Sequence, residues 1–290
     1  MHDKRQNPYD DLCGGRWLRG NLHNHPRPLD NPSSICTRYA QFGYGFLALT
    51  EHDRTWTHGE IAEWDRCGMV LLPGNEVSKN GCHILHVGAN CHVEPLEDRQ
   101  TVIDQINADG GFAVLNHPND GVRHSHNPIE QLEALQGYLG IEIYNAGGIM
   151  GKGSPLATDK WDMLLTAGRR VWGFASDDYH RPPDAGRAWI VGYARDRTVD
   201  GVMEMLRAGR FYCSTGVTID EIEVDGHHIR VRAANAGRIA AWREGGAGVA
   251  VTDGNSLEVH VPDTALYVRF ECYGDAGRSA WTQPIFFGEA

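Results

Sequence analysis

Residues 17–26 read WLRGNLHNHP, and this stretch sets the expectations for the rest of the chain. The run 17–22 has the length and composition of a short buried strand, and His23 and His25 follow directly after it. Side chains two positions apart leave the same face of an extended chain, so the two imidazoles are expected side by side. The stretch therefore predicts a strand that is followed by two of the ligands of a metal site.

Seven further apolar runs predict strands, and helical patterns lie between them. Alternating strand and helix units are typical of a mainly parallel sheet, and seven or eight of them predict a closed or distorted barrel. The clearest helix is predicted over 98–109, where apolar residues share one face and a Gly-Gly pair follows. The predicted strands span 17–22, 46–50, 69–72, 83–87, 112–116, 140–144, 171–175 and 188–193.

The character of the chain changes after residue 212. A helix is predicted over 199–208, and beyond it helical periodicity disappears while turn residues recur. The segments 219–224 and 229–233 flank Asp225 and Gly226, which predict a hairpin with a type I′ turn. We therefore expect a catalytic domain over 1–212 and a small sandwich-like β domain over 213–290.

The composition restricts the class of protein. The 290 residues are 41% hydrophobic and 22% charged, which is ordinary globular usage and excludes a disordered chain. The net charge of −11 disfavours a nucleic acid partner. No run approaches the ~18 apolar residues of a membrane span, and the opening segment lacks the apolar core of a signal peptide. We expect a soluble, cytoplasmic protein with no membrane partner, whose seven cysteines are reduced.

Polar clusters follow four other predicted strands. Histidines that only satisfy core hydrogen bonds would be scattered among helix faces, strand centres and loops. Clusters at the carboxyl ends of barrel strands instead converge on one rim. Mixed imidazole and carboxylate ligands favour Zn, Mn or Fe in a hydrolytic site. The clusters are TEHDR (50–54), PGNE (73–76), NHP (116–118) and SDDYH (176–180).

Between residues 20 and 180 the motifs H-x-H, T-x-H-D, G-x-E, G-x-H, N-H-P and D-x-H occur in that order. The chain thereby resembles the PHP (polymerase and histidinol phosphatase) superfamily of metal-dependent phosphoesterases. The resemblance implies a distorted (β/α)7 barrel of PHP type that holds two or three divalent metal ions. Within the superfamily, NEVSKNGCHILHVG (75–88), SDDYH and AWTQP (280–284) resemble the carbaryl-hydrolase-like branch.

The resemblance also implies the metal ligands. Asp177 competes with Asp178, but only Asp178 has the spacing that places it on the same face as His180. His83 competes with His86, and their odd separation allows only one to face the site. The implied ligands are His23, His25, Glu76 and Asp178 for a first ion, Glu76 as a bridge to a second ion with His83 and His117, and Asp30, His52 and His180 for a third.

Clustered cations lower the pKa of a shared water and polarise a phosphoryl or carbonyl oxygen, so no protein nucleophile is needed. If two ions bind, His83 and His117 are free to protonate the leaving group. Arg54 is the arginine best placed to bind an anionic substrate, because it directly follows the TEHD motif. Arg123 and Arg181 are further rim candidates. His124 and His126 are expected in a solvated loop, with the pocket lining as the alternative. Residues 145–154 are expected to form a mobile lid.

We therefore expect a hydrolase of small, anionic phosphate esters, either monoesters or diesters. The first alternative is an amide or carbamate hydrolase that uses the same metal ions, as the carbaryl-hydrolase-like motifs imply. A second alternative, a proofreading or accessory module for nucleic acid synthesis, is disfavoured by the net charge. A non-catalytic binding domain stabilised by metal ions is also disfavoured, because the set of metal ligands that the resemblance implies is complete.

Overall fold

The computed structural model describes residues 6–10, 12–26, 32–149 and 151–288. These ranges contain six α-helices and eighteen strands. The helices are α1 (Pro32–Gln41), α2 (His58–Ala62), α3 (Arg99–Ala108), α4 (Ile129–Ala134), α5 (Thr158–Thr166) and α6 (Val199–Arg207). The strands are β1 (Arg16–Asn21), β2 (Tyr44–Ala48), β3 (Val70–Leu72), β4 (Gly74–Val77), β5 (Ile84–Val87), β6 (Phe112–Leu115), β7 (Gly140–Asn145), β8 (Trp172–Ser176), β9 (Trp189–Ala194), β10 (Phe211–Ser214), β11 (Ile219–Asp225), β12 (His228–Ala233), β13 (Ala236–Arg243), β14 (Ala247–Asp253), β15 (Ser256–His260), β16 (Tyr267–Gly274), β17 (Ser279–Thr282) and β18 (Ile285–Phe286).

The first nine strands belong to two sheets. One sheet has the order β4-β5-β6-β7-β8, in which β6, β7 and β8 are parallel while β5 runs antiparallel to both of its neighbours. In the other sheet β1, β2 and β3 are parallel, and β9 pairs antiparallel with β1. All eight strands predicted from the apolar runs are present. The fold is thus mixed α/β.

No closed barrel is detected among the described residues, so the distorted (β/α)7 barrel stays a prediction. Strand β4, which no apolar run predicted, follows β3 after the single residue Pro73. Proline lacks an N–H group, and the carbonyl of Pro73 accepts hydrogen bonds from Gly88 and Ala89, which follow β5. The chain leaves one sheet at Pro73 and begins the other.

The two sheets meet at both seams through isolated bridges near the carboxyl ends of their strands. Asn24, after β1, bridges Tyr179, after β8, and the His25 N–H donates to the Tyr179 carbonyl at 2.8 Å. At the other seam His52, after β2, bridges Glu76 in β4. These bridges draw the ends of β1, β2, β4 and β8 together at one place.

The main core lies between the two sheets and the helices. One continuous cluster of buried side chains includes Phe46 from one sheet and Ile84 and Phe174 from the other. Helix α3 confirms its prediction: the Asp98 side chain caps the helix by accepting from the N–H groups of residues 100 and 101. Its apolar face at 102, 103 and 106 is fully buried. None of the helices in the described ranges has the length and apolar content needed to cross a membrane.

Helix α6 begins at the predicted residue, and after it the described chain consists of strands, turns and short 3-10 segments. Strands β11 and β12 form the predicted hairpin, but its two central residues are Gly226 and His227, because Asp225 pairs with His228. A type I′ turn requires a positive φ at both central residues. Of these two, only Gly226 has one, of 59°, so the expected type I′ turn is not formed. The sheet that contains β1, β2, β3 and β9 has ten strands in all. It continues across residue 212, since β10 pairs with both β9 and β17. The division at 212/213 stays a prediction.

Candidate metal centre

Glu76 lies in β4, where the ends of β1, β2, β4 and β8 come together. Five histidines surround its carboxylate. Glu76 is fully buried, in the short strand β4. A carboxylate of this kind accepts hydrogen bonds or binds cations, and it has nothing to donate. The ring nitrogens that face it are His52 Nδ1 at 2.6 Å, His83 Nδ1 at 3.0 Å, His23 Nε2 at 3.2 Å, His117 Nε2 at 3.6 Å and His25 Nε2 at 3.7 Å.

These histidines come from separate parts of the chain, and the strands deliver them to one edge. His23 and His25 follow β1, His52 follows β2 and His117 follows β6, each at the carboxyl end of a parallel strand. His83 directly precedes β5, which is antiparallel to β4, so its position coincides with the end of β4. The structure therefore brings together the predicted strand-end histidines.

Asp178 is the second carboxylate that faces the cluster. Its Oδ1 lies 3.3 Å from His23 Nε2 and 3.1 Å from His25 Nε2. The competing Asp177 points elsewhere: it is buried and accepts hydrogen bonds from Tyr39 and from the backbone N–H groups of residues 186–188. Burial raises the pKa of Asp177 to about 6. The positive φ of Asp178, 51°, turns the chain so that two consecutive aspartates face different surroundings.

The choice between His83 and His86 is equally clear. His83 faces Glu76, whereas His86 is fully buried in β5 with its Nε2 3.2 Å from Asp109 Oδ2. Burial lowers the pKa of His86 to about 4, so its ring is neutral at physiological pH. His86 is therefore a core residue, and His83 belongs to the cluster.

The cluster has the donor chemistry of a cation site. Despite these short distances, several buried atoms of the cluster lack a partner with hydrogen-bond geometry, namely His23 Nε2, His25 Nδ1, Glu76 Oε2 and His117 Nδ1. Buried polar atoms are ordinarily satisfied, so their concentration here indicates a ligand. Five overlapping groups of three side chains place potential ligand atoms within 4.8 Å of one another. The groups are His23-His25-Asp178, His23-Glu76-His117, His52-Glu76-His83, His25-His52-His180 and His83-His117-His126.

The pKa shifts of the clustered side chains also indicate a cation site. Burial alone would lower the pKa of His23, but the carboxylates of Asp178, Glu142 and Glu76 together raise it well above its ordinary value. Burial alone would raise the pKa of Glu76, yet the histidines hold it well below its ordinary range. The carboxylates are thus ionised and the environment favours positive charge. Imidazole and carboxylate ligands without thiolate fit Zn, Mn or Fe.

Three residues of the centre escaped the sequence analysis, and a fourth, His126, was expected in a solvated loop. Glu142 in β7 is buried and contacts His23. The sequence pattern that could have revealed it is a single charged residue between two isoleucines in the strand GIEIYN. His126 accepts the His83 N–H at 3.0 Å and its ring lies 4.4 Å from that of His117, so it is not in a solvated loop. The other two are Glu51, 3.5 Å from His25 Nδ1, and Asn116, which donates to Glu76 at 2.7 Å.

The remaining predicted site residues have varied positions. Asp30 lies outside the described residues. His180 follows Asp178 with its Nδ1 3.4 Å from Asp178 Oδ1, on the exposed side of the cluster. The guanidinium of Arg54 lies 3.0 Å from Glu60 Oε1 and stacks on the Trp56 ring, 3.7 Å from its centroid.

The predicted lid and the other two rim arginines are also placed. Arg123 is exposed, with a positive φ of 70°, and Arg181 lies 3.6 Å from Asp184. In the predicted lid, Asn145 donates to Glu142, and Gly147 lies so close to Asp178 that a Cβ atom would approach its Oδ2 to 2.7 Å.

The comparisons with known proteins bear on the fold. No protein-family model and no curated protein matches this sequence. Among solved structures, the chain is similar to a two-domain protein from Bacteroides vulgatus that is described as containing a predicted PHP-like metal-dependent phosphoesterase. The TM-score is 0.51 at 15% identity, over 97% of this chain and 89% of that one. At this identity the similarity shows a shared fold alone, and it gives no support to the carbaryl-hydrolase-like branch.

Proposed function

We propose that this protein is a metal-dependent hydrolase of small phosphate esters. The observation that carries the proposal is the buried Glu76 carboxylate with five histidine rings within 3.7 Å and a second carboxylate, Asp178, facing two of the same rings. A structural role needs no such convergence, because about four donors fill the lone-pair sites of one buried carboxylate.

The charge of the centre supports at least two divalent ions. Glu51, Glu76, Glu142 and Asp178 bring four carboxylates together, and within the described ranges none of them forms an ion pair with lysine or arginine. Isolated buried charges are very costly unless they are compensated. Two divalent cations would neutralise the four carboxylates.

The geometric groups overlap with the ligand sets that the PHP resemblance implies, and this overlap supports the proposal. His23, His25 and Asp178 would hold a first ion, with Glu76 between it and a second ion held by His83 and His117. His52 and His180 would hold a third, on the exposed side. Divalent ions in such positions supply Lewis acidity, polarise a phosphoryl oxygen and lower the pKa of water. The side chains of His52 and His180, 40% and 43% exposed, mark the face that meets the substrate.

Hydrolysis of a carbamate or amide is the second candidate, and the rim arginines favour it. The guanidinium groups of Arg54 and Arg181 are paired with Glu60 and Asp184. A substrate dianion would have to compete with these carboxylates, whereas an uncharged carbonyl compound needs no guanidinium partner. The net charge of −11 makes a small substrate more suitable than a nucleic acid in either case.

Metal content and substrate turnover test the proposal together. We expect the purified protein to hold at least two divalent ions and to hydrolyse nitrophenyl phosphate or bis-nitrophenyl phosphate. Glu76→Gln should lose both metal and turnover, while the matched control Glu258→Gln, on exposed strand β15, should keep both. Turnover of a nitrophenyl carbamate with inert phosphates would replace the first candidate by the second. A protein that binds no divalent ion would overturn both.

A further inference from the structure

Glu142 contacts the centre differently from the other carboxylates. It is 1% exposed in the middle of β7, and both of its oxygen atoms are fully used. Oε1 faces His23 Nδ1 at 2.8 Å and accepts from the Ser176 hydroxyl. Oε2 accepts from the His117 backbone N–H and from the Asn145 side-chain amide, both at 2.8 Å. With four donors directed at it, this carboxylate has no lone pair left for a metal ion.

The contact with His23 determines how that ring is presented. Because the carboxylate only accepts, His23 Nδ1 carries a proton, and Nε2, which faces Glu76 and Asp178, is the atom that would give its lone pair to a metal ion. A ligating histidine that donates its other N–H to a carboxylate is fixed in tautomer and ring orientation, and it becomes a more basic ligand.

The contact with His117 acts on the backbone. His117 has a φ of 27°, in the left-handed region that a non-glycine residue rarely adopts. Its N–H is held by Glu142, which thereby supports the turn that directs the His117 ring toward Glu76. Through His23, His117, Asn145 and Ser176, one carboxylate connects the ends of β1, β6, β7 and β8.

We propose that Glu142 is a positioning residue of the metal centre, which fixes the tautomer of His23 and the backbone of His117 without binding an ion itself. The inference rests on the proposed metal centre. Outer carboxylates of this type typically contribute a factor of about 10 to 100 in metal affinity.

The test is Zn²⁺ affinity, measured by chelator competition on the folded protein at pH 7.5. Glu142→Gln keeps the size of the side chain but directs an amide NH2 at donor groups, so we expect about 10- to 100-fold weaker binding. The control is Asp162→Asn, which alters another carboxylate, the one bound to Arg269 and Tyr267. This control should lower the melting temperature and leave Zn²⁺ affinity unchanged. Equal affinity in Glu142→Gln and the native protein would overturn the inference.

A second measurement needs no variant. In the Zn²⁺-loaded native protein, ¹⁵N-edited NMR of labelled histidines should show His23 protonated at Nδ1 and unprotonated at Nε2. A proton on Nε2 would overturn the inference even if Glu142→Gln does not fold. Failure of the native protein to bind Zn²⁺, Mn²⁺ or Fe²⁺ would instead contradict the proposed function, so the two failures are distinguishable.

Discussion

The Nε2 atoms of His52 and His180 lie 3.4 Å apart on the exposed side of the metal centre. The Nδ1–H of His180 donates to the backbone carbonyl of Asp178 at 2.9 Å, and Nδ1 of His52 faces Glu76 at 2.6 Å. When both Nδ1 atoms carry the ring protons toward these oxygens, both Nε2 atoms have lone pairs that face each other. Two facing lone pairs at this distance are stabilised by a shared cation.

His180→Asn should therefore remove one ion and leave the deeper ones bound. The buried groups around His23 and His117 do not include His180, so their ligands are intact. Metal content measured by inductively coupled plasma mass spectrometry should fall by one ion per chain relative to the native protein. His228→Asn, at an exposed position of β12, is the matched control and should retain all ions. Complete loss of metal, or none, in His180→Asn would contradict a separate outer ion.

Lys160→Met should loosen the loop that follows His117. The Lys160 ammonium is buried in α5 and donates to the carbonyls of Pro118, His124 and Asn127 at 2.8, 2.8 and 2.6 Å. Removing it leaves three carbonyls without their charged donor, and we expect the free energy of unfolding to fall by about 2–4 kcal/mol in urea titrations. Lys79→Met, at an exposed lysine, should change it by less than about 0.5 kcal/mol. Similar losses in both variants would show that the loop does not depend on Lys160.

Gly147→Ala should weaken metal binding without unfolding the protein. A Cβ atom at this position would lie 2.7 Å from Asp178 Oδ2, so the carboxylate must shift away from His23 and His25. Gly59→Ala, where the added atom meets only Thr57 Oγ1 at 4.0 Å, is the control. We expect lower Zn²⁺ affinity in Gly147→Ala and native affinity in Gly59→Ala, with circular dichroism spectra unchanged in both. Native affinity in Gly147→Ala would show that Asp178 does not need its present position.

Acid should destabilise the metal-free protein partly through His86. The folded-state pKa of His86 is about 4, below the ordinary 6.5, because the ring is buried. The unfolded chain thus binds this proton more readily, and stability is lost as the pH falls from about 6.5 through 4, by up to about 3 kcal/mol. His86→Gln, which cannot titrate, should show a flatter profile in urea unfolding between pH 7 and pH 4. Parallel profiles for the two proteins would contradict the assignment.

Local signals in the sequence predicted the strands, helix α3 and the histidine clusters well. Strand ends converge by geometry, so His23, His52 and His117 were recognisable from position alone. The break between the sheets at Pro73 was not recognisable, because β4 is short and polar at its centre. The role of Glu142 depends on partners from three other strand ends, and such long-range contacts leave little trace in a local pattern.

The most direct test of the metal centre is anomalous diffraction from crystals of the native protein grown with Mn²⁺. We predict at least two anomalous peaks within coordination distance, about 2.0–2.6 Å, of the Glu76 and Asp178 carboxylates or the surrounding histidine nitrogens. Well-ordered side chains at Glu76, His23 and His117 with no anomalous peak among them would contradict the metal centre.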